Sequence, residues 1–374
     1  IKNKKMNKQV KLNTESLTSI REDIDSIDSN IQDLINERAK LAKKIGFSKD
    51  KKGTSTDFYR PEREVDVLKS VKKRNKGPLK DEEMLRLFRE IMSACLAQQE
   101  PLKIGFLGPE GTFTQSAVYK HFGHSVRALP YGAIDEIFHE VESHAADFGV
   151  VPIENSTEGT VNNTLDMFVS SPLKICGEIE LKIEHHLIGK MKDLKKIERI
   201  CAHEQALAQC RGWIREYLSD VEMISVSSNA IGARRARDEK GTVAIGSEIA
   251  KDIYNLNVIS RNIEDRADNA TRFLVVGRNI VASSGDDKTT VLLSTDDTKT
   301  GVGVLHSILE PFSSNQINIT RIESRPSHKQ NWDYVFFLDL DGHSDDSALK
   351  TALNEVNKRC SLFRVLGSYP KAIS

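Results

Sequence analysis

Apolar residues near the start of the chain fall at Leu17, Ile20, Ile24, Ile27, Ile31, Leu34, Leu41 and Ile45. This spacing of threes and fours puts them on one stripe of a single helix. A helix of roughly thirty residues is about 45 Å long, so the stripe calls for a partner helix or a second subunit. Residues 46–60 (GFSKDKKGTSTDFYR) are charged and rich in small polar side chains, and predict a linker. Pro61 suits the first turn of a second helix over roughly 61–74, where its missing N–H costs nothing. Gly77-Pro78 breaks the chain, and a third helix starts near Asp81 with Met84, Phe88, Ile91 and Cys95 on one face, stopping by Pro101. From Lys103 the period shortens. KIGFLG, VRALPY, FGVVPI, KICGEIEL, RICA, EMISV, TVAIG, LNVI and TRFLVVG read as strands, with helix-length stretches at 133–143, 160–170, 204–218 and 229–238 between many of them. That alternation predicts parallel sheet covered by helices. The unbroken strand character near 174–189 predicts a crossover between two lobes. SSGDDK (283–288) is a linker by composition, and the remainder reads strand, helix, strand, strand, helix, strand, a four-stranded antiparallel sheet with two helices on one face. The expected layout is therefore a helical domain over 1–101 with a basic tail at 1–13, a two-lobed α/β domain over 102–282, and a small α+β domain over 288–374.

Composition narrows the function classes. Lys plus Arg and Asp plus Glu both number 54 in 374 residues, so the chain has no overall field to draw nucleic acid or an anionic membrane. The five cysteines, Cys95, Cys176, Cys201, Cys210 and Cys360, show neither zinc-knuckle nor redox-pair spacing. Reduced thiols and a cytoplasmic location are expected. No apolar run approaches twenty residues, so neither a membrane span nor a secretory leader is expected. The histidines and carboxylates show no metal-site spacing, and no cofactor is expected.

Two polar residues stand where the helical stripes call for apolar ones. Arg38 follows Leu34 by four, and Gln98 continues the face of Met84, Phe88, Ile91 and Cys95. A buried guanidinium requires an anion, and Arg21, Arg63 and Glu64 add charge to the same module. On these residues the segment 14–100 resembles the all-helical chorismate mutase domain, in which two three-helix chains interlock around the long first helix. The resemblance implies rearrangement of chorismate to prephenate, with Arg21, Arg38 and Arg63 holding carboxylates, Arg21 being lent by the partner subunit. It also implies that Lys49 and Gln98 meet the ether oxygen and that Glu64 takes the substrate hydroxyl. Fixed donors are sufficient for a pericyclic step. Arg60 and the long 50–58 linker depart from some members of that family.

The middle segment opens with GFLGPEG (105–111), whose glycines are three apart throughout and do not fit a dinucleotide fingerprint. Its turn is expected to expose N–H groups before a helix from Thr114 or Gln115 that can receive an anion. In VVPIENSTEGT (150–160), Glu154, Asn155 and Ser156 crowd a strand end where open sheets bind ligands, and Ser228 repeats the pattern in the second lobe. His185 and His186 are adjacent on a strand and cannot both face one site; His203 reads as structural. With GPEGTF, VPIENS and TRF, residues 103–278 resemble prephenate dehydratase, whose fold is similar to a two-lobed periplasmic binding protein. The resemblance implies loss of carbon dioxide and water from prephenate, giving phenylpyruvate. It makes Thr271 the proton donor and Glu154, Asn155, Ser156 and Ser228 the substrate shell. Arg272 is open between the site and a structural ion pair.

From Thr289 to about Pro370 the chain resembles an ACT domain. Gly303, Val304, Leu305 and His306 at a helix start, with Glu323, Ser324, Arg325 and Pro326 at a strand end, match the stretches that frame a phenylalanine site between paired domains in the dehydratase family. The order of the three segments resembles that of bifunctional chorismate mutase/prephenate dehydratases. It implies chorismate and prephenate as substrates, L-phenylalanine as inhibitor, and a homodimer, with pairing into tetramers left open. The rival readings are a dehydratase whose helical part only dimerises, and a non-catalytic receptor for an aromatic acid.

Overall fold

The computed structural model describes residues 17–50, 59–98, 100–191, 193–294, 302–326 and 334–373, the side chains of 46–50 excepted. The basic tail 1–13, most of the 50–58 linker and the Lys49 side chain lie outside what is described. The chain divides into two compact units, one up to Thr56 and one from Asp57 onward. The division falls inside the expected helical domain, because the second and third helices are built into the larger unit.

The first unit contributes one helix, α1 (Leu17–Asp50). Its apolar stripe is exposed along its length, Ile24 to 50% and Leu34 to 64%. In the second unit, α2 (Pro61–Arg74) starts with proline in its first turn, and α3 (Asp81–Leu96) carries Asp81, Glu82 and Glu83 in its own, where carboxylates complement the helix dipole. The two pack together through Leu68, Val71 and Leu85.

The first lobe begins with β1 (Lys103–Leu107), α4 (Phe113–Phe122), β2 (Arg127–Tyr131), α5 (Ile134–Glu142), β3 (Phe148–Asn155), β4 (Gly159–Thr160), α6 (Asn162–Ser170) and β5 (Lys174–Lys182). The chain then builds the second lobe: β6 (His186–Gly189), β7 (Arg199–Ala202), α7 (Glu204–Gln209), α8 (Arg211–Tyr217), β8 (Glu222–Ser225), α9 (Asn229–Asp238), β9 (Thr242–Gly246), α10 (Glu248–Ile253) and β10 (Asn257–Ser260). It returns to the first lobe as β11 (Ala270–Gly277). The first sheet runs β2-β1-β3-β11-β5 with β4 on β3, and the second runs β10-β6-β9-β7-β8. β1 is parallel to β2 and β3, whereas the returning β11 lies antiparallel to both β3 and β5. Both sheets are therefore mixed rather than parallel throughout, because each lobe takes strands from both directions of the double crossing.

The third part contains β12 (Asp287–Ser294), α11 (Val304–Ser314), β13 (Ile319–Pro326), β14 (Tyr334–Asp341), α12 (Ser347–Asn357) and β15 (Leu362–Pro370). Its sheet, ordered β13-β14-β12-β15, is antiparallel and ferredoxin-like. Alternation along β12 decides its packing: Val291 and Leu293 meet Ile308 and Phe312 of α11, while Leu292 shares a core with Phe168, Ile175 and Leu274 of the first lobe. Phe337, Leu366 and Tyr369 join that shared core, so the sheet covers one face of the first lobe.

Candidate functional site

The strand ends named by sequence meet at β3 and β11. Their register opposes Asn155 to Thr271 and Glu154 to Arg272. The Asn155 amide Nδ2 donates to Thr271 Oγ1 at 2.7 Å. Its orientation is fixed at the other end, where Oδ1 accepts from Thr157 N (2.9 Å), Thr157 Oγ1 (2.6 Å) and Glu158 N (3.1 Å). A threonine hydroxyl that accepts this bond keeps its own proton free to donate, and polarisation by the amide favours that donation. Ser156 is committed to the same turn: its Oγ accepts from Ala270 N at 3.0 Å and donates to Asn269 Oδ1 at 3.3 Å.

Period-two alternation puts Glu154 and Arg272 on the opposite face of the sheet from Asn155 and Thr271. Glu154 therefore does not join the hydroxyl cluster, and its carboxylate lies 3.2 Å from Arg321 Nε of β13. Arg272 is a structural residue. Its guanidinium, 13% exposed, lies 2.8 Å from Glu178 of β5, 2.6 Å from Asp339 of β14, and 3.2 Å from the Tyr369 hydroxyl of β15. Lys288 completes the buried network at 2.8 Å from Glu178.

The second lobe closes on this cluster through a residue the sequence reading passed over. Gln209, at the end of α7, donates from Nε2 to Thr157 Oγ1 (3.1 Å) and accepts at Oε1 from Asn269 Nδ2 (3.1 Å). The same Oε1 lies 2.8 Å from His185 Nε2. His185 is buried edge-on against Phe113, its Nδ1 has no partner among the described residues, and burial lowers its pKa. On the other side, Ser247 Oγ donates to Gly111 O at 3.0 Å and the Tyr254 hydroxyl donates to Glu110 O at 2.9 Å. Gly111 needs to be glycine there: its φ is 90°, and a Cβ would lie 3.0 Å from the Tyr254 ring. Its N–H is not free for an anion, because Gln115 Oε1 accepts it at 2.7 Å. Ser228 and His203 are caps, accepting from Ile231 N and Gln205 N at the starts of α9 and α7.

In the helical segment, Arg21 is exposed and Arg38 half-buried on α1. Arg63 and Glu64 are consecutive on α2 and so point about 100° apart. Arg63 is exposed, whereas Glu64 faces inward, 3.7 Å from Arg89 of α3 and 15% exposed. Gln98 lies exposed beyond the end of α3. Within this unit Arg63, Glu64 and Gln98 are thus not brought into one pocket. Burial raises Glu64 to about 7 against the opposing charge of Arg89. Beside it, Tyr59 lies 3.0 Å from His121 Nε2, and burial, then Arg89, lowers His121 to about 3.

The two expected effector stretches differ in how far they are already occupied. Gly303 caps α11 at φ 91° with none of the described atoms within 4 Å of its Cβ position, and Leu305 and His306 are exposed while Val304 is half-buried. On β13, Ser324 and Pro326 face outward, whereas Glu323 accepts from Thr160 Oγ1 at 2.8 Å and Arg325 forks onto Asp166 of α6 at 2.9 Å.

Three family models match in order: chorismate mutase type II over residues 20–100, prephenate dehydratase over 104–280 and the ACT domain over 297–357. A bifunctional chorismate mutase/prephenate dehydratase of Stutzerimonas stutzeri is 49% identical over 363 residues, covering 96% of this chain and 99% of that protein. The one of Aquifex aeolicus is 43% identical with the same coverage. The chain belongs to the bifunctional chorismate mutase/prephenate dehydratase family. A crystal structure of prephenate dehydratase in complex with L-Phe from Arthrobacter aurescens is 34% identical with a TM-score of 0.67, covering 72% of this chain and 90% of that one.

Gln209 stands in polar surroundings with no periodic fault to mark it, and its role appears only when the lobes meet; Asn269, two residues before Thr271, accepts from Asn155 Nδ2 at 3.0 Å within the first lobe. Gln209 sits one residue before Cys210, at the break between α7 and α8, where the sequence reads as one helix over 204–218.

Proposed function

We propose that the chain converts chorismate to prephenate and prephenate to phenylpyruvate, and that L-phenylalanine restrains the second step from the C-terminal domain. The Asn155–Thr271 hydrogen bond is the observation that best supports the dehydratase chemistry. As the ring carboxylate leaves as carbon dioxide, its bonding pair enters the ring and expels the hydroxyl on the far side. That hydroxide is a poor leaving group, and Thr271 gives it a proton so that it departs as water. Threonine recovers its proton from solvent, so the step consumes one proton overall. Asn155 holds the Thr271 oxygen, and Gln209 and His185 fix the second lobe against it. Ser156 stays in the substrate shell as part of the turn that carries Asn155, and Ser228 as a hydroxyl at the start of α9. With its side chain turned to β13, Glu154 acts on the shell through its neighbour Asn155.

The mutase site is assembled between two copies of the chain. The exposed stripe of α1 is an apolar surface that a second α1 would bury, and the family resemblance assigns Arg21 of the partner, Arg38, Lys49, Arg63, Glu64 and Gln98 to the mutase site. In that assignment the arginines take the substrate carboxylates, Lys49 and Gln98 the ether oxygen, and Glu64 the hydroxyl. Phenylalanine lies between paired C-terminal domains, against Gly303, Val304, Leu305 and His306 and the outward face of Glu323–Pro326. Supplying chorismate and prephenate separately tests the two activities: phenylpyruvate forms from both. Formation from prephenate alone leaves a dehydratase with a helical dimerising segment, and binding without turnover leaves a receptor.

A further inference from the structure

The two residues of the candidate proton-donating pair, Asn155 and Thr271, each have a neighbour on the opposite face of the sheet, and both neighbours are held by the C-terminal domain. Glu154, next to Asn155, pairs with Arg321 of β13, and Arg272, next to Thr271, pairs with Asp339 of β14. The two attachments differ in kind. Arg272 sits in a buried network with Glu178, Lys288, Asp339, Thr290 and Tyr369, which fixes the sheet on the lobe. The β13 attachment is peripheral. The Glu154 side chain is 41% exposed, and Arg321 divides its guanidinium between Glu154, Thr160 Oγ1 at 3.0 Å and Glu323 at 3.4 Å. Both guanidiniums are largely buried and each faces two carboxylates, but the partners of Arg321 are open to water, Glu154 to 41% and Glu323 to 30%, whereas Glu178 and Asp339 are 2% and 4% exposed, so the Arg321 pairs exchange at smaller cost.

β13 is an edge strand of its sheet, and its two faces have separate occupants. Arg321, Glu323 and Arg325 point to the first lobe, while Ile322, Ser324 and Pro326 point outward. Of the expected effector stretch, Ser324 and Pro326 thus lie on the face opposite the grip on the lobe, while Glu323 and Arg325 belong to that grip. A small shift or twist of β13 on the outward face must displace the inward one.

We propose that Arg321 is a positioning residue for the dehydratase step, coupling β13 through Glu154 to the orientation of Asn155 and Thr271. Glu154 and Thr160 are paired across the β3–β4 hairpin, and the turn between them carries Ser156, Thr157 and Glu158. Arg321 touches both ends of this hairpin, and Asn155 Oδ1 depends on the turn for its three donors. Moving β13 therefore changes the angle at which Asn155 meets the Thr271 hydroxyl, without any motion of the buried Arg272 network. An effector that prefers one setting of β13 biases this contact by its differential affinity for the two settings.

The inference rests on phenylalanine acting at the C-terminal domain, and the test separates the two. The full-length enzyme and its Arg321→Gln variant are compared for phenylalanine binding by calorimetry and for dehydratase rate on prephenate with and without saturating phenylalanine. The native enzyme binds phenylalanine and is slowed by it. The variant still binds phenylalanine, but its ratio of uninhibited to inhibited rate falls about 5-fold or more toward unity. Arg321→Lys, which keeps the charge, recovers part of the response, a pattern that a loss of stability alone does not produce. If Arg321→Gln fails to fold, Glu154→Gln removes the other half of the pair and is expected to lose the response in the same way. A folded Glu154→Gln or Arg321→Gln enzyme inhibited as strongly as the native one overturns the inference while leaving the regulatory reading intact. A native enzyme that neither binds phenylalanine nor is slowed by it overturns both.

Discussion

At the scale of single residues, charge and burial decide what each site can do. Arg38 is an apolar-stripe position occupied by a guanidinium. In the proposed site it is one of a few fixed cations facing a dianionic substrate, so Arg38→Ala should lower mutase turnover by about 100-fold or more. Dehydratase activity on added prephenate should stay within about 2-fold, because Thr271 and Asn155 lie in the other compact unit. Separate assays on the two substrates check this, and near-native conversion of chorismate would remove Arg38 from the site. Glu64 gives a pH-dependent expectation. Its folded pKa of about 7 lies above the ordinary 4.5 because burial disfavours the charged form. The folded chain then binds more protons than the unfolded chain between those values. Stability falls as pH rises through that window, by roughly 3 kcal/mol in all. Glu64→Gln removes the titration, so its melting temperature relative to the native enzyme should climb from pH 4.5 to 7 and level off above. A difference independent of pH would show that Glu64 is not held in this way.

At the scale of elements, periodicity in the sequence carried far. The threes and fours from Leu17 to Ile45 became α1, Pro61 opens α2, and every short apolar run from KIGFLG to TRFLVVG lies on a strand. Which way a side chain faces could be read only where one face of the element is solvent. Glu154 and Asn155 looked alike at a strand end, because that end is approached from two sides: the turn after Asn155 meets Gln209 of the second lobe through Thr157, and Glu154 meets Arg321 of β13. That second approach comes from more than 160 residues away in the chain, and local spacing holds no trace of it. The antiparallel return of β11 was hidden for the same reason, since a strand's direction depends on where the chain has been. On α1 the lesson runs the other way. Its stripe is legible in sequence and exposed among the described residues, and in the proposed dimer its partner is a second α1. Ile27→Asp places a charge in the middle of that stripe, where each buried side chain would contribute about 1.5–3 kcal/mol. Sedimentation should show the dimer weakened, with mutase activity lost in parallel and dehydratase activity kept. Unchanged association would move the subunit contact elsewhere.

At the scale of the whole molecule, the regulatory domain is part of the dehydratase fold rather than an appendage. Leu292, Phe337, Leu366 and Tyr369 share one core with Phe168, Ile175 and Leu274, and Arg272 is satisfied by Asp339 and Tyr369. Ending the chain near Ser284 would open that core and leave Arg272 paired on one side only. The shortened chain is therefore expected to lose most of its dehydratase activity together with its cooperative unfolding transition, as followed by circular dichroism. Retention of both would show that the C-terminal sheet is dispensable for the lobe it covers. The central claim is that one chain carries two separate chemistries, the second of which depends on the Thr271 hydroxyl. Thr271→Val keeps the shape of the side chain and removes that hydroxyl. The most direct measurement follows chorismate, prephenate and phenylpyruvate over time with this full-length variant and chorismate as the sole substrate. Chorismate should disappear at the native rate and prephenate accumulate, with phenylpyruvate formation slowed by about 10²–10⁴-fold. Phenylpyruvate appearing at the native rate, or chorismate left unconsumed by a folded protein, would contradict the account.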